Sequence, residues 1–338
     1  MNRVLVIRVG LSALFVLVVS GIVFSFPALL ALSIQREQES AISVMYEQFP
    51  VTVNPQDKTI VENDLVNKFL DRSNSPLQAS TWNVRNVFGI VFSWLAIAVN
   101  DASLYQSIAS ADGRFVNVTP GMRKEQVANE FAKALGWDVK QKKEFLSAHD
   151  SSSLPISEGS FYPGIYLVTR GTSPLEARAF VNERFFENIL SRYGPETAKI
   201  VPLEQALIIA SLIEREAGGQ DDMRIISGII WNRLFINMRL QIDATLQYAK
   251  ANTSTTNVWW PRPLPADRFI KSPHNTYLNN GLPPTPIANP SVASVLAALN
   301  PRNTTCLFYF HDSARRFHCT DTYAEHVALL KKYYGRGK

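Results

Sequence analysis

The chain has 338 residues, 46% of them hydrophobic, with a net charge of +5 and two cysteines. That composition is globular, long enough for two modest domains and unlike that of a disordered polymer. The positive charge is spread thinly, with no basic cluster among aromatics, which argues against a nucleic-acid partner; five scattered histidines without HExxH or paired Cys-x-x-Cys argue against a metal site.

Val9 to Ile34 carries no charged residue, and about 26 positions cross a bilayer core of about 30 Å even when tilted. A single N-terminal transmembrane helix is expected. Arg3 and Arg8 precede it while Arg36, Glu37 and Glu39 follow, a bias that keeps the N-terminus cytoplasmic and places the rest of the chain outside. The alternative is a cleaved signal peptide with Ala31-Leu32-Ser33 as its site, for which the apolar run is long.

Between residues 50 and 135 lies a faint internal repeat. Val51 to Pro55 and Val116 to Pro120 are short alternating stretches ending at a proline, each followed by an amphipathic stretch of helical period, Asp64 to Leu70 and Lys124 to Leu135. Val87 to Val99, with Phe92 and Trp94, is apolar, but about 13 residues cannot span a bilayer. It reads as a core helix, with an interfacial helix as the alternative. Glu158 to Tyr166 is an aromatic and Pro-containing segment whose ring faces suit either sugar rings or a packed turn. Thr172 to Arg192 then reads as one amphipathic helix capped by Thr172 or Ser173 and started by Pro174.

Pro202 fits a first helical position, Leu203 to Ala217 is apolar on most faces, and Gly218-Gly219 ends it. A helix that apolar should be buried. Glu214 and Glu216 sit in its last turn, where burial and the negative end of the helix dipole raise a carboxyl pKa, the setting a general acid needs. Two residues apart on a helix is about 200°, so only one of them can face a given cleft. A second helix, Asp221 to about Ile236, follows and carries Asn232 and Arg233. Met238 to Thr245 is then polar at alternate positions, which brings out Gln241 and Asp243.

Asn257 to Pro265 reads as a Trp- and Pro-rich loop. Ser272 to Tyr277 and Gly281 to Ile287 are stiff, irregular backbone of the kind that holds side chains at a site. Asn275, Tyr277, Gln241 and Asp243 are the candidates for hydrogen bonding to a substrate. Near the end, Cys306 to Phe310 and Arg316 to Thr320 form a predicted hairpin around Asp312-Ser313-Ala314. Pairing Phe310 with Phe317 would set the two sulfurs diagonally on one face, a marginal geometry that leaves a disulfide and two buried thiols both open.

The ordered segments "ASLIEREAG", "WNRL", "MRLQIDAT", "SPHNTY", "GLPPTPIANPS" and "TYAEH" resemble the YceG-like endolytic murein transglycosylases over about 205 to 330. The chain departs from that pattern at Asn237, Ala244 and His274, and the family's His-x-Phe reads here as Phe317-His318-Cys319. The resemblance implies cleavage of the β-1,4 bond between N-acetylmuramic acid and N-acetylglucosamine in peptidoglycan strands, leaving 1,6-anhydro ends. Glu216, the second Glu of the pair, falls on the catalytic acid, with Glu214 and Arg233 as structural support. Gln241, Asp243, Asn275, Tyr277 and Asn232 are the expected substrate contacts. No cofactor or metal is implied.

The strand-turn-helix units between 50 and 135 resemble LysM glycan-binding modules, which the family carries in this place. The expected fold class is therefore α+β: a single N-terminal transmembrane helix, a LysM-like β-α subdomain and a mixed α/β catalytic domain. The expected divisions are residues 1–36, 37–135, a connecting segment 136–200, and 201–338. The partners implied are peptidoglycan strands, the cell (inner) membrane crossed once with the catalytic domain outside, and cell-wall synthesis proteins. A peptidoglycan hydrolase (muramidase), with Asp243 activating water, and a non-catalytic membrane-tethered wall-binding protein are the competing functions.

Overall fold

The computed structural model describes residues 48–64, 66–67, 113–147, 158–253 and 258–335. Val9 to Ile34, Val87 to Val99 and much of Asp64 to Leu70 lie outside the described residues. No helix among the described residues is long and apolar enough to cross a membrane. The chain divides into two compact units, 1–47 with 77–113 and 48–76 with 114–338; every described residue except Gly113 belongs to the second.

The described residues form a mixed α+β fold of helices and three two-stranded sheets. Its centre is α5, Leu203–Glu216, reached after α1 (Lys124–Leu135), α2 (Val139–Ser147), α3 (Pro174–Asn188) and α4 (Pro195–Ile200). Ala206 through Ile213 are all buried, because α6 (Gln220–Phe235), α7 (Asp243–Thr253) and α8 (Val292–Leu299) all pack on α5. A helix enclosed by several neighbours needs apolar residues all round rather than a stripe.

Two apolar cores result. One holds Val116, Val118, Phe131, Phe145, Phe161, Tyr166 and Val181, from β3 (Gly113–Val118), α1, α2, β4 (Gly164–Thr169) with the segment just before it, and α3. The other surrounds α5 and takes in Phe185, Ile189, Trp231, Leu240, Ile287 and Leu299. The stretch expected as one helix over Thr172 to Arg192 supplies both. Ser173 caps it by accepting from Glu176 N, α3 ends at Asn188, and a short 3-10 turn, Leu190–Arg192, follows.

The two halves of the apparent repeat have different surroundings. Val53–Asn54 (β1) turns back at once to pair with Thr59–Ile60 (β2), with Val53 opposite Ile60. The Asn54 side chain closes that turn by accepting from Gln56 N at 3.0 Å, and Phe49 and Val53 are buried in the α5 core. The second half is a β3-α1-α2-β4 unit whose two strands pair with each other. Asn289, fully buried, ties that unit to the α5 core: its Nδ2 donates to Met122 O at 2.9 Å and its Oδ1 accepts from Phe161 N at 2.8 Å.

The closing hairpin, β5 (Phe308–His311) with β6 (Phe317–Thr320), is shifted by one residue from the predicted register: His311, not Phe310, pairs with Phe317. Asp312 explains the shift. Its Oδ1 accepts from Ala314 N at 2.9 Å and Arg316 N at 3.0 Å, which holds residues 312 to 316 in the loop. Bonds from His318 and Arg316 hold its carboxyl far below the usual aspartate range. Cys319 is thereby set opposite Tyr309, Cys306 lies just upstream of β5, and the two cysteines are joined as a disulfide with Cα atoms 5.8 Å apart. The last helix, α9 (Tyr323–Tyr334), begins at Thr322 with a capping box to Glu325.

Candidate active site

The C-terminal end of α5 brings Glu214 and Glu216 to different neighbourhoods, as two residues' rotation about a helix axis requires. Glu214 Oε2 accepts three bonds: from Ser291 N at 2.9 Å, Ser291 Oγ at 2.7 Å and Ser294 Oγ at 2.6 Å. Ser291 is the N-cap of α8, so Glu214 fastens the start of α8 to the end of α5. Charge at a helix N-terminus is also favourable there.

Glu216 points the other way and is only partly covered. Its Oε1 accepts from Ala244 N at 3.2 Å and its Oε2 from the Tyr309 hydroxyl at 2.9 Å. Burial pushes its pKa up, reinforced by the Asp243 carboxylate and opposed by the two hydrogen bonds and His311. Tyr309 ionises only well above its ordinary value, chiefly because of burial and then because Glu216 is adjacent. It is therefore a hydroxyl at any physiological pH.

Gln241 and Asp243 are exposed, while Leu240, Ile242 and Ala244 between them are buried, the alternation seen in the sequence. Gln241 adopts φ 49°, a left-handed conformation, with its N–H donating to Thr276 O at 3.1 Å. Asp243 is the first residue of α7 and its Oδ1 accepts from the Tyr277 hydroxyl at 2.7 Å. Burial, then Asp243, keeps that phenol protonated as well. Glu216, Tyr309, Asp243 and Tyr277 thus form one polar group beside the exposed Gly218-Gly219 turn.

Two of the expected substrate contacts sit elsewhere in the scaffold. Asn275 is fully buried; its Nδ2 donates to Arg268 O at 3.0 Å and Ile270 O at 2.8 Å, and its Oδ1 accepts from Tyr277 N at 2.9 Å. It sets the loop that presents Tyr277. Asn232 donates to Thr304 O at 2.6 Å and Cys306 O at 3.3 Å. An Asn whose amide serves backbone carbonyls has no donor left for a ligand. Arg233, also buried, donates from Nε to Leu307 O at 2.7 Å and from Nη1 to Leu240 O, joining the start of β5 to the Gln241 segment. Desolvation lowers its pKa, and Tyr309, Tyr277 and Glu216 oppose that shift in turn. Arg233 therefore also supplies positive potential behind the site.

The YceG-like family model matches residues 95–332, well over half of the chain. The chain belongs to the YceG-like family. It is 32% identical over 252 residues to the endolytic murein transglycosylase of Bacillus subtilis (strain 168), covering 72% of this chain and 63% of that protein. Against the endolytic murein transglycosylase of Streptococcus pneumoniae serotype 2 it is 28% identical over 172 residues, covering 50% and 30%. The matched part thus spans less than two thirds of either relative. A crystal structure of a yceG-like protein from Listeria monocytogenes matches with a TM-score of 0.56 at 24% identity, over 70% of this chain and 81% of that one. That last likeness is one of fold.

Sequence reading missed four parts of this candidate site: Tyr309, His311, Asp222 and the Ala244 N–H. A partial signal for the first two was present: Tyr309 lies on the predicted strand, which ends at Phe310, and the observed strand runs one residue further, so that His311 alternates onto the same face. No signal marked Ala244, whose contribution is its backbone. Asp222 reads as a helix-start acid, and it is one, accepting from Gly218 N at 3.0 Å and Gly219 N at 3.3 Å. It also takes His311 Nε2 at 2.5 Å.

Proposed function

We propose that this chain is an endolytic lytic transglycosylase that cleaves the MurNAc-GlcNAc β-1,4 bond within peptidoglycan strands. The observation that carries this reading is Glu216, a partly covered carboxyl with a raised pKa in the last turn of a buried helix, held on both oxygens. Family membership supports the substrate class, the named relatives being endolytic murein transglycosylases.

The chemistry follows from one carboxyl. Protonated Glu216 gives its proton to the glycosidic oxygen as the bond to C1 breaks and positive charge grows on the sugar ring. The C6 hydroxyl of the same sugar then bonds to C1, and its proton returns to the Glu216 carboxylate. Asp243 supplies negative charge near the oxocarbenium-like centre, with Tyr277 fixing its rotamer, and Gln241 hydrogen-bonds the glycan. Asn275, Asn232, Arg233 and Glu214 hold the backbone that presents these groups.

A hydrolase remains the rival because Asp243 is exposed beside Glu216, where a carboxylate could activate water. The products decide. Full-length protein incubated with purified sacculi should release fragments with the mass of 1,6-anhydro ends, and Asp243→Asn should slow release by about 10²- to 10⁴-fold without changing that mass. Reducing ends that disappear in Asp243→Asn would make the enzyme a muramidase; no release by wild type would favour a wall-binding tether.

The LysM-like glycan-binding subdomain expected within residues 37–135 is proposed for the second half of the repeat only, extended to the whole β3-α1-α2-β4 unit, which runs past residue 135 to Thr169. Val9 to Ile34 is proposed as an uncleaved anchor that keeps the catalytic part outside the cell membrane. The charge-free run and the flanking Arg bias support the anchor. Protease added to intact spheroplasts should digest the protein; full protection, or a mature N-terminus near Ile34, would rule the anchor out.

A further inference from the structure

We propose that strand β5 supplies two positioning residues for the acid: Tyr309, which fixes the oxygen of Glu216 that carries the proton, and His311, which is braced by Asp222 beside the same carboxyl. This rests on the reading of Glu216 as the proton donor. It assigns to the closing hairpin a part in the chemistry as well as in the fold.

The geometry leaves little freedom. Oε1 of Glu216 faces the Ala244 N–H, which can only donate. A carbonyl oxygen accepts from that N–H better than a carboxylic O–H oxygen does, so the arrangement favours the acid hydrogen on Oε2. Oε2 faces the Tyr309 hydroxyl at 2.9 Å, and a hydroxyl both donates and accepts. Before transfer it accepts from the acid or turns aside as the glycosidic oxygen takes the proton; afterwards it donates to the new carboxylate. One side chain therefore serves both protonation states without moving the backbone. A phenol held neutral by its surroundings does not compete for that proton.

His311 reaches the site from the same face of β5, two residues on. Its Nε2 lies 2.5 Å from Asp222 Oδ2, and Asp222 accepts from both N–H groups of the Gly218-Gly219 turn. The imidazole is thus fixed to the end of α5 that carries Glu216. Its ring also stands against Gly218, where an added Cβ would come within 2.9 Å of Nε2. The other charged or titratable groups that act on Glu216 are Asp243 at the start of α7, Arg215 on α5, Arg233 on α6 and Tyr277 on its loop. Tyr309 and His311 both favour the carboxylate, while Asp243 disfavours it.

Removing either β5 group should therefore make Glu216 harder to ionise. Tyr309→Phe keeps the ring and its packing on Phe317, 5.9 Å away between centroids, and loses only the hydroxyl. His311→Gln keeps a polar group within reach of Asp222. The expected result for Tyr309→Phe is a maximal single-turnover rate on sacculi lower by at least about 10-fold, part of what general acid catalysis contributes. The alkaline limb of its pH-rate profile, where the acid loses its proton, should move to higher pH. His311→Gln should move the limb in the same direction with a smaller loss of rate.

A direct titration separates this inference from the proposed reaction. The side-chain carboxyl carbon of Glu216 in the full chain, assigned by its disappearance in Glu216→Gln, should titrate at higher pH in both variants than in wild type. If wild type releases no anhydro products, the transglycosylase reading fails, yet the titration still judges the hairpin. An unmoved titration in both variants, or a rate loss without any shift of the limb, would overturn the proposal and reduce Tyr309 and His311 to packing.

Discussion

Glu216→Gln is expected to abolish strand cleavage, with a loss of at least the roughly 10²- to 10⁴-fold that a positioned acid contributes, and to leave the fold intact. The amide oxygen can keep the bond from Ala244 N, and the amide nitrogen can donate to the Tyr309 oxygen, since a hydroxyl also accepts. Shape and both contacts survive, and only the transferable proton is gone. The variant should also be no less stable at neutral pH. Burial raises the pKa of Glu216 in the folded state, so the native protein binds this proton more tightly than the unfolded chain does. Wild type therefore loses stability as pH rises from the ordinary glutamate value through the raised one, and is destabilised above both by the buried charge. A glutamine does not titrate, so thermal melts against pH should show a flatter curve for the variant in that window.

Glu214→Gln gives the contrasting result and acts as the control for which face of α5 is catalytic. Three donors converge on one oxygen, and all three belong to the start of α8. Neutralising that carboxyl weakens charge-assisted bonds and should cost about 1–3 kcal/mol, read as a lower thermal midpoint with cleavage largely retained. Cleavage lost in Glu214→Gln and kept in Glu216→Gln would reverse the assignment.

How much of this was legible in the sequence depends on how local each cause is. The start and stop of α5 follow from Pro202 and Gly218-Gly219, and the opposed directions of Glu214 and Glu216 follow from helix geometry alone. The exposure of Gln241 and Asp243 was readable for the same reason, as alternation along a few residues. The pairing of β3 with β4 was not, because those strands are separated by two helices and carry no signal for each other. The hairpin register failed by one residue because Asp312, four residues before Arg316 and six before His318, decides the loop length through its own side-chain bonds. Asn275 in its loop and Asn232 on α6 look like substrate contacts in a sequence because an asparagine that clamps carbonyls has the same letter as one that faces a ligand. The helix that carries Glu214 and Glu216 was legible; the hairpin that meets its end was assembled from contacts across about 90 residues, as between Glu216 and Tyr309.

Gly228→Ala should be the most destabilising small substitution in residues 201–338, because of how that hairpin is delivered. One face of α6 presents Arg224, Gly228 and Asn232 at four-residue spacing, and the segment leading to β5 runs along it. Arg224 O accepts from Arg302 N at 2.9 Å, Arg224 Nε donates to Asn300 O at 2.8 Å, and Asn232 holds the carbonyls of Thr304 and Cys306. Between these clamps the backbone of Arg302 lies directly on Gly228. A Cβ there would press into the Arg302 carbonyl oxygen far inside contact distance and would meet Thr304 Cγ2 at 3.1 Å. Backbone cannot rotate away as a side chain can, so the segment or the helix must shift, at a cost of about 1–3 kcal/mol or more. That corresponds to a fall in the thermal midpoint of roughly 2–4 °C per kcal/mol for a cooperative unit of about 150–250 residues, and less for a larger one. The same shift would move Tyr309 relative to Glu216, so activity at a temperature where the variant is fully folded should fall too. A variant with wild-type melting and wild-type cleavage would show that the 302 to 304 segment does not hold the hairpin in place.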